Sequence, residues 1–391
     1  MKRYDYIITG GGAAGRSLIC RLLASSLGNK HILLVDQEPK NANDRTWCFW
    51  ETSPGFFEDI IFHSWQQLWV HTDNFSRLLD IYPYTYKLIR GIDFYRYTDE
   101  LINRSANVDR LYGTVETIRP VSSGVEVSVD GQWLEADWCF NSIFFGTIDK
   151  EAVHYLDQHF RGWFVRSETD VFDPGQATLM DFRTRQWDDT RFLYVLPHSS
   201  REALIEVAIF SNQHLPPEAY DQIIEQYCQE YFPQLGRYTI EQKEMGNIPM
   251  TDFDFTRREG RLIHIGMAGG DTRASSGYTF YNIQRRTATI VEQLEAGKEP
   301  DGRICRPERR ANFYDSIMLR VLEKRYYPGS KLFEKLFVGN DPARVLAFLN
   351  AETRLIPELK LIDSLPKIPF LRAFWEINNL HRIVSLNVRK T

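Results

Sequence analysis

The sequence predicts an α/β protein: a doubly wound nucleotide-binding domain, a second sheet-based domain, and a mostly helical C-terminal region. Three observations carry this. A glycine cluster at residues 10–15 lies between a β-rich run and an apolar helical stripe. Alternating β-branched runs, broken by turn residues, recur from residue 112 to residue 257. From residue 303 onward the patterning is mostly helical.

Taken in order, residues 4–9 (YDYIIT) are a short β-rich run ending in glycines. Residues 13–26 read as a helix, with Leu18, Leu22 and Leu23 on one stripe. Residues 31–36 (HILLVD) are almost wholly apolar and end in an acid, as a buried parallel strand does. Strand, glycine turn, helix and strand make a βαβ unit. Residues 44–51 (DRTWCFWE) read as a dense aromatic loop. Asp130-Gly131 is a turn signal after the strand-like run 124–129, so a β-meander is expected there. Residues 138–145 read as a further buried strand, and 177–182 and 203–210 as strands of the second domain. Residues 261–265 (RLIHI) lead into a second glycine cluster, followed by a helix from about Gly277. The nucleotide-binding domain is thus expected to be discontinuous, from residues 1–50, 101–150 and 258–300. Residues 51–100 and 151–257 would form the substrate domain, and 301–391 the helical region.

With 391 residues there is enough chain for two or three packed units. A net charge of −5 excludes no fold but argues against nucleic acid as a partner. Aromatic residues reach 14%, which fits either a bulky core or a wide pocket lined by π-faces. Cys20, Cys48, Cys139, Cys228 and Cys305 are odd in number and show no ligand spacing, and the nine histidines show none either. Neither a disulfide framework nor a metal site is expected. A strand follows Met1 directly and no run of about 18 apolar residues occurs, so the expectation is a cytoplasmic protein, docked at most on a membrane face.

Gly10, Gly12 and Gly15 fit G-x-G-x-x-G, and Asp36 ends the next strand. Alone the motif is weak; between strand and helix it marks a Rossmann-type dinucleotide site. Gly10 permits the tight turn, Gly12 the approach of a pyrophosphate, and Gly15 close packing of helix on strand. The helix N-terminus favours phosphate, and Asp36 would accept from ribose hydroxyls. The distant cluster Gly266, Gly269, Gly270 and Asp271 favours FAD over NAD, in a glutathione-reductase-like domain where a Gly/Asp element approaches the flavin end. A helix starting near Gly277 would stabilise an anionic reduced ring.

The loop Arg45-Thr46-Trp47-Cys48-Phe49-Trp50 resembles the RTWCFW-like element of the flavin-dependent lycopene cyclases. Further resemblances follow in order: Gln158-His159-Phe160-Arg161-Gly162-Trp163, the strand 177–183, Gly246-Asn247-Ile248-Pro249-Met250, and Ser276-Gly277-Tyr278. They span residues 10 to about 280. The family's acidic strand typically carries two acids, whereas residues 203–208 (ALIEVA) keep only Glu206, which removes a second carboxylate. The C-terminal glycine element also departs from the family form, reading DTRASSGY.

The resemblance implies a lycopene β-cyclase of carotenoid biosynthesis that is active with reduced FAD, with NADPH as electron donor. Lycopene or a related acyclic carotene would be its substrate. Cyclisation is an isomerisation: an acid protonates a terminal double bond, its neighbour attacks the carbocation, and a proton is lost. In an apolar tunnel an anionic flavin and aromatic faces would stabilise that cation. The resemblance makes Glu206 the acid/base, and alternation puts it on one face with Leu204 and Ala208. Read from the strand alone, Glu206 is more readily a solvent-facing or salt-bridged acid on a half-exposed strand. Arg45, Gly277 and Tyr278 are implied cofactor contacts, with a loop arginine paired to Asp44 or Glu51 the other reading of Arg45. Trp47, Phe49 and Trp50 either line a polyene tunnel or fill a core. Asp181 and Arg183 read as a structural ion pair. Tyr326, Tyr327, Phe333, Phe337, Phe348, Phe370, Phe374 and Trp375, mixed with Lys and Arg, read as a membrane-docking surface or as a capping subdomain. Two other classes stay open: an FAD-dependent monooxygenase or isoprenoid reductase, and a non-catalytic isoprenoid-binding protein.

Overall fold

A computed structural model describes residues 2–388, with side chains through residue 378. The strand Lys2–Thr9 pairs in parallel with Ile32–Asp36 on one side and Gln132–Asn141 on the other. Val108–Tyr112 and Leu262–His264 extend this sheet on either side, both in parallel, and the short strand Arg258–Glu259 pairs antiparallel with Leu262–His264 at one edge. The central strands pair in parallel and are covered on both faces, which is why Ile7, Ile8, Ile32 and Val35 are wholly inaccessible. The helix Ala13–Leu23 follows the first strand, and its Leu18 and Leu22 pack under it with Phe280–Glu295. Each such burial stabilises the fold by roughly 1.5–3 kcal/mol. The expected meander is present: Gly124–Val129 and Gln132–Asn141 form a hairpin. Its turn residues Asp130 and Gly131 have φ of 47° and 79°, as a type I′ turn demands.

A second, seven-stranded sheet runs in the order Tyr238–Thr251, Tyr155–Ser167, Glu202–Phe210, Thr190–Pro197, Gln176–Asp181, Gln67–Thr72, Phe75–Asp80. One face packs on the helix Pro217–Tyr231 through Ile205, Val207 and Ile209. The other face meets the C-terminal helices through Leu204, Ala208, Phe192 and Phe333. Those helices are Arg306–Glu323, Gly329–Val338, Pro342–Leu349, Leu355–Asp363 and Lys367–Val388. The α/β architecture with a largely helical C-terminal region is therefore as expected.

Three local expectations are corrected. The aromatic segment is not a loop: Thr46–Glu51 is a strand, paired antiparallel with Thr85–Arg90 in a small third sheet. The helix expected from Gly277 starts at Phe280, because Gly277 is left-handed (φ 74°) and cannot enter it. Phe333 and Phe337 are core residues under the second sheet, not docking residues. The exposed apolar set is instead supplied largely by Leu355, Ile356, Leu359, Ile368, Leu371 and Trp375.

Candidate functional site

At the glycine turn, backbone crowding explains the motif. A Cβ on Gly15 would sit 2.1 Å from the Gly10 carbonyl oxygen, so helix and strand could not pack as they do. A Cβ on Gly12 would meet nothing within 4 Å, and this N-cap has no side-chain partner. The first N–H groups of the helix therefore open onto free space, as a bound pyrophosphate requires. Asp36 ends its strand with Oδ2 buried and without a hydrogen-bond donor, the Lys40 ammonium standing 3.6 Å away, so a ribose hydroxyl could supply that bond. Arg16 braces the turn from inside: it donates to the Gly11 carbonyl at 2.7 Å and to Asp99 at 2.6 Å.

The second glycine element meets the first. A Cβ on Gly266 would lie 2.9 Å from the Ala14 Cβ and 3.9 Å from Ser142, the residue that also abuts Gly10. Asp271 is buried and accepts from the Gly266 N–H at 2.7 Å and from Arg257 at 3.3 Å, so it holds that turn closed. Gly270 lies against Phe255 and Arg257 instead. Gly277 approaches Gln158 so closely that a Cβ would fall 2.1 Å from its Oε1, itself a buried acceptor without a donor. An orphaned Asp36 oxygen, an open helix N-terminus and an orphaned Gln158 amide oxygen fit a dinucleotide lying between the two glycine elements. Arg273, by contrast, is committed to Asp315 at 2.9 Å.

Arg45 stands apart from this cradle. Its side chain is 55% exposed and donates to the Asp44 carbonyl oxygen. The three aromatics are divided by strand alternation. Trp47 and Phe49 pack on Phe280 in the nucleotide-domain core. Trp50 points the other way, edge-on to Tyr278 at 4.5 Å, with its indole N–H on the Leu346 carbonyl. Asp181 and Arg183 do form a buried ion pair, completed by the Tyr227 hydroxyl at 2.6 Å.

Glu206 projects from the same sheet face as Leu204 and Ala208, away from the Pro217–Tyr231 helix. It lies deep in the protein yet keeps part of its surface open, as do Cys48 and Tyr278. These three side chains thus stay partly accessible although protein surrounds them. Burial pushes the Glu206 carboxyl well above the usual carboxylate range, and a neighbouring carboxyl, Glu244, adds to the rise. Burial raises the phenols Tyr86, Tyr194 and Tyr278 as well, so they stay neutral donors. Tyr194 sits directly across the strand pair from Glu206, and the Tyr86 and Tyr278 hydroxyls are 3.3 Å apart.

The residue that sequence reasoning missed is Glu244, which restores a second carboxylate from a different strand. Its Oε2 accepts from the Thr46 hydroxyl at 2.8 Å. A signal existed: Glu244 is two residues before Gly246, hence on the same strand face as the glycine and isoleucine of the GNIPM segment. Arg16, Tyr86 and Tyr194 also escaped notice, the first because an arginine in the first turn of a helix is normally solvated.

The family model described as lycopene cyclase protein matches residues 5–374. The chain belongs to the lycopene cyclase family. Membership places it among the FAD-dependent enzymes of the oxidoreductase/cyclase superfamily and implies an isoprenoid or carotenoid substrate class. No curated protein matches the sequence. Solved structures share the fold at low identity. A geranylgeranyl bacteriochlorophyll reductase-like protein from Thermoplasma acidophilum is 11% identical, with a TM-score of 0.59, covering 97% of this chain and 100% of its own. The flavin-dependent brominase Bmp2 is 12% identical, with a TM-score of 0.60 and coverage of 97% and 100%. The flavin-dependent monooxygenase PieE, solved with FAD and substrate, is 12% identical, with a TM-score of 0.59 and coverage of 90% and 71%. These likenesses establish the fold. Among the described residues no cluster of metal ligands occurs and no helix is long and apolar enough to cross a membrane.

Proposed function

We propose that the protein is a lycopene β-cyclase, closing the ends of lycopene or a related acyclic carotene to β-rings with no net electron transfer. The observation that carries this reading is the acid Glu206, held deep on a sheet face among phenols and aliphatic side chains with the carboxyl of Glu244 beside it. Because burial disfavours its anion, Glu206 keeps its proton at neutral pH. It donates that proton to the terminal double bond; the neighbouring double bond attacks the cation and forms the ring bond. The carboxylate then recovers a proton from the adjacent ring carbon, so the acid is regenerated. The faces of Trp50, Tyr194 and Tyr278 offer π density to the cation. An apolar lining keeps water from capturing it as an alcohol.

Gly10, Gly12, Gly15 and Asp36 would hold the adenosine and pyrophosphate end of FAD, and Gly266, Gln158, Gly277 and Tyr278 its flavin end. Reduced FAD, when bound, supplies a fixed negative charge that favours cation formation; NADPH is the proposed reductant.

Substrate is proposed to arrive from a membrane surface. An apolar cavity of about 510 Å³ lies among the C-terminal helices, lined by Phe313, Met318, Phe333, Leu336, Phe370 and Phe374. Its rim shares Leu359 and Leu371 with the exposed apolar face on which Ile356 is 71%, Ile368 81% and Trp375 64% exposed. A peripheral location on the cytoplasmic face of the membrane is part of this proposal.

The test is anaerobic incubation of the flavoprotein with lycopene and NADPH, followed by mass and absorption analysis. The expected product has the mass of the substrate and β-rings, and Glu206→Gln lowers its rate by roughly 10²–10⁴-fold. An oxygenated product would make the protein a monooxygenase, a hydrogenated one a reductase. Stoichiometric carotene binding without turnover would make it a binding protein.

A further inference from the structure

The sheet order brings Tyr238–Thr251, Tyr155–Ser167, Glu202–Phe210 and Thr190–Pro197 side by side. One cross-strand row then reads Glu244, Gly162, Glu206, Tyr194. Adjacent strands are about 4.8 Å apart, so the two glutamate backbones stand about 10 Å apart with a whole strand between them. Any side chain on the middle strand would separate them, but the residue there is glycine. A Cβ on Gly162 would lie 2.8 Å from Leu204 Cδ1, 3.1 Å from Glu244 Cγ and 3.2 Å from Glu206 Oε2. Both glutamates therefore lean over the missing side chain, and their carboxyl groups come within hydrogen-bonding reach.

A count of donors shows what this contact needs. Glu244 Oε2 has the Thr46 hydroxyl, but Glu244 Oε1 is buried with no donor. Two carboxylates in contact in an apolar interior do not both stay ionised at rest, because each raises the other's affinity for a proton. A single proton on Glu206, donated to Glu244 Oε1, satisfies the orphaned oxygen and removes the repulsion together.

We propose that Gly162 is a notch that lets Glu206 and Glu244 share one proton, and that Glu244 is the positioning residue for the acid. This deepens the role given above to Glu206 and rests on that reading for its catalytic meaning alone. The other groups facing the pair are Cys48, Tyr194 and Tyr278 beside Glu206, and Thr46, Arg45 and Asp44 beside Glu244. The thiol and phenols are pushed up by burial, so they stay neutral while the carboxyl pair titrates. Arg45 favours the Glu244 anion and Asp44 opposes it. Burial raises the Glu244 carboxyl as well, and the hydrogen bonds from Thr46 and Glu206 hold that rise back, so the proton rests mainly on Glu206. The proton leaves Glu206 as a C–H bond forms, and the two adjacent anions then draw a proton back to Glu206 as another C–H bond breaks.

The pair is measured without substrate, by carbon-13 NMR titration of holoprotein labelled at the glutamate carboxyl carbons. One carboxyl is expected to titrate far above the rest. In Glu244→Gln its midpoint should fall by about one pH unit or more, a tenfold change in proton affinity. In Gly162→Ala, which keeps both acids but wedges them apart, the midpoint should fall as well. The alkaline limb of the pH–rate profile should move by the same amount, a shift that loss of packing alone does not produce. If Glu244→Gln does not fold, Gly162→Ala carries the test. A midpoint unmoved in the folded variants overturns the shared proton. A midpoint that moves, in a protein that gives no isomeric product from lycopene, keeps the shared proton and overturns the cyclase reading instead.

Discussion

Gly15→Ala gives the sharpest test of the nucleotide cradle, because local and tertiary reasoning predict opposite signs. Gly15 is the third residue of the helix Ala13–Leu23. On helix propensity alone, alanine there should stabilise the protein by up to about 1 kcal/mol. The structure predicts the reverse. The added methyl group would stand 2.1 Å from the Gly10 carbonyl oxygen and 3.0 Å from Ile8 Cγ2. An ordinary C···O contact is about 3.3 Å, so helix and turn must part by roughly 1.2 Å. Overpacking of this kind costs typically about 1–3 kcal/mol. The gap opens where the helix N–H groups and the turn must close on one pyrophosphate, so the cost falls on the bound form. At about 1.4 kcal/mol per decade, flavin affinity should drop roughly 5- to 140-fold. Fluorescence titration of the apoprotein with FAD gives the Kd, and thermal unfolding gives the stability of the apoprotein. An alanine variant that binds FAD within twofold of the parent, with an equal or higher Tm, would refute the reasoning.

The remaining predictions concern the acid and the apolar face. Stability of the parent should fall relative to Glu206→Gln as pH rises. The folded carboxyl holds its proton above the unfolded value of about 4.3, so the native state binds more protons in the window between the two. Unfolding curves from pH 5 to 9 check this, and Tm profiles of the two proteins that run parallel would contradict it. Ile368→Asp combined with Trp375→Glu should leave the fold intact, since both side chains are largely exposed. Each removes an apolar contact worth roughly 1.5–3 kcal/mol if buried in lipid, so binding to liposomes should weaken at least about tenfold. Unchanged flotation with vesicles would count against the membrane face.

Much of the nucleotide domain was legible because its signals are local. Gly10, Gly12, Gly15 and Asp36 lie within one βαβ unit, and Asp130-Gly131 encodes its own turn. The face of Glu206 followed from alternation within one strand. The segment Thr46–Glu51 was misread because its pairing partner, Thr85–Arg90, is remote in sequence and nothing in the aromatic run names it. Pairing then settled which aromatics face which core, sending Trp47 and Phe49 to Phe280 and Trp50 to Tyr278. For Phe333 and Phe337 a docking surface and a capping subdomain both stayed open, because burial beneath a distant sheet leaves no mark on a helical pattern.

The sequence by itself determined the family, the dinucleotide turn and the candidate acid, since each depends on residues close together along the chain or on motifs in fixed order. Only the tertiary structure decided that the acid has a partner. Glu206 and Glu244 belong to strands that are not neighbours in sequence, and they meet because Gly162, between them in the sheet, has no side chain to keep them apart. Cross-strand register is a property of the assembled sheet, and a carboxyl's affinity for its proton depends on what that register places beside it.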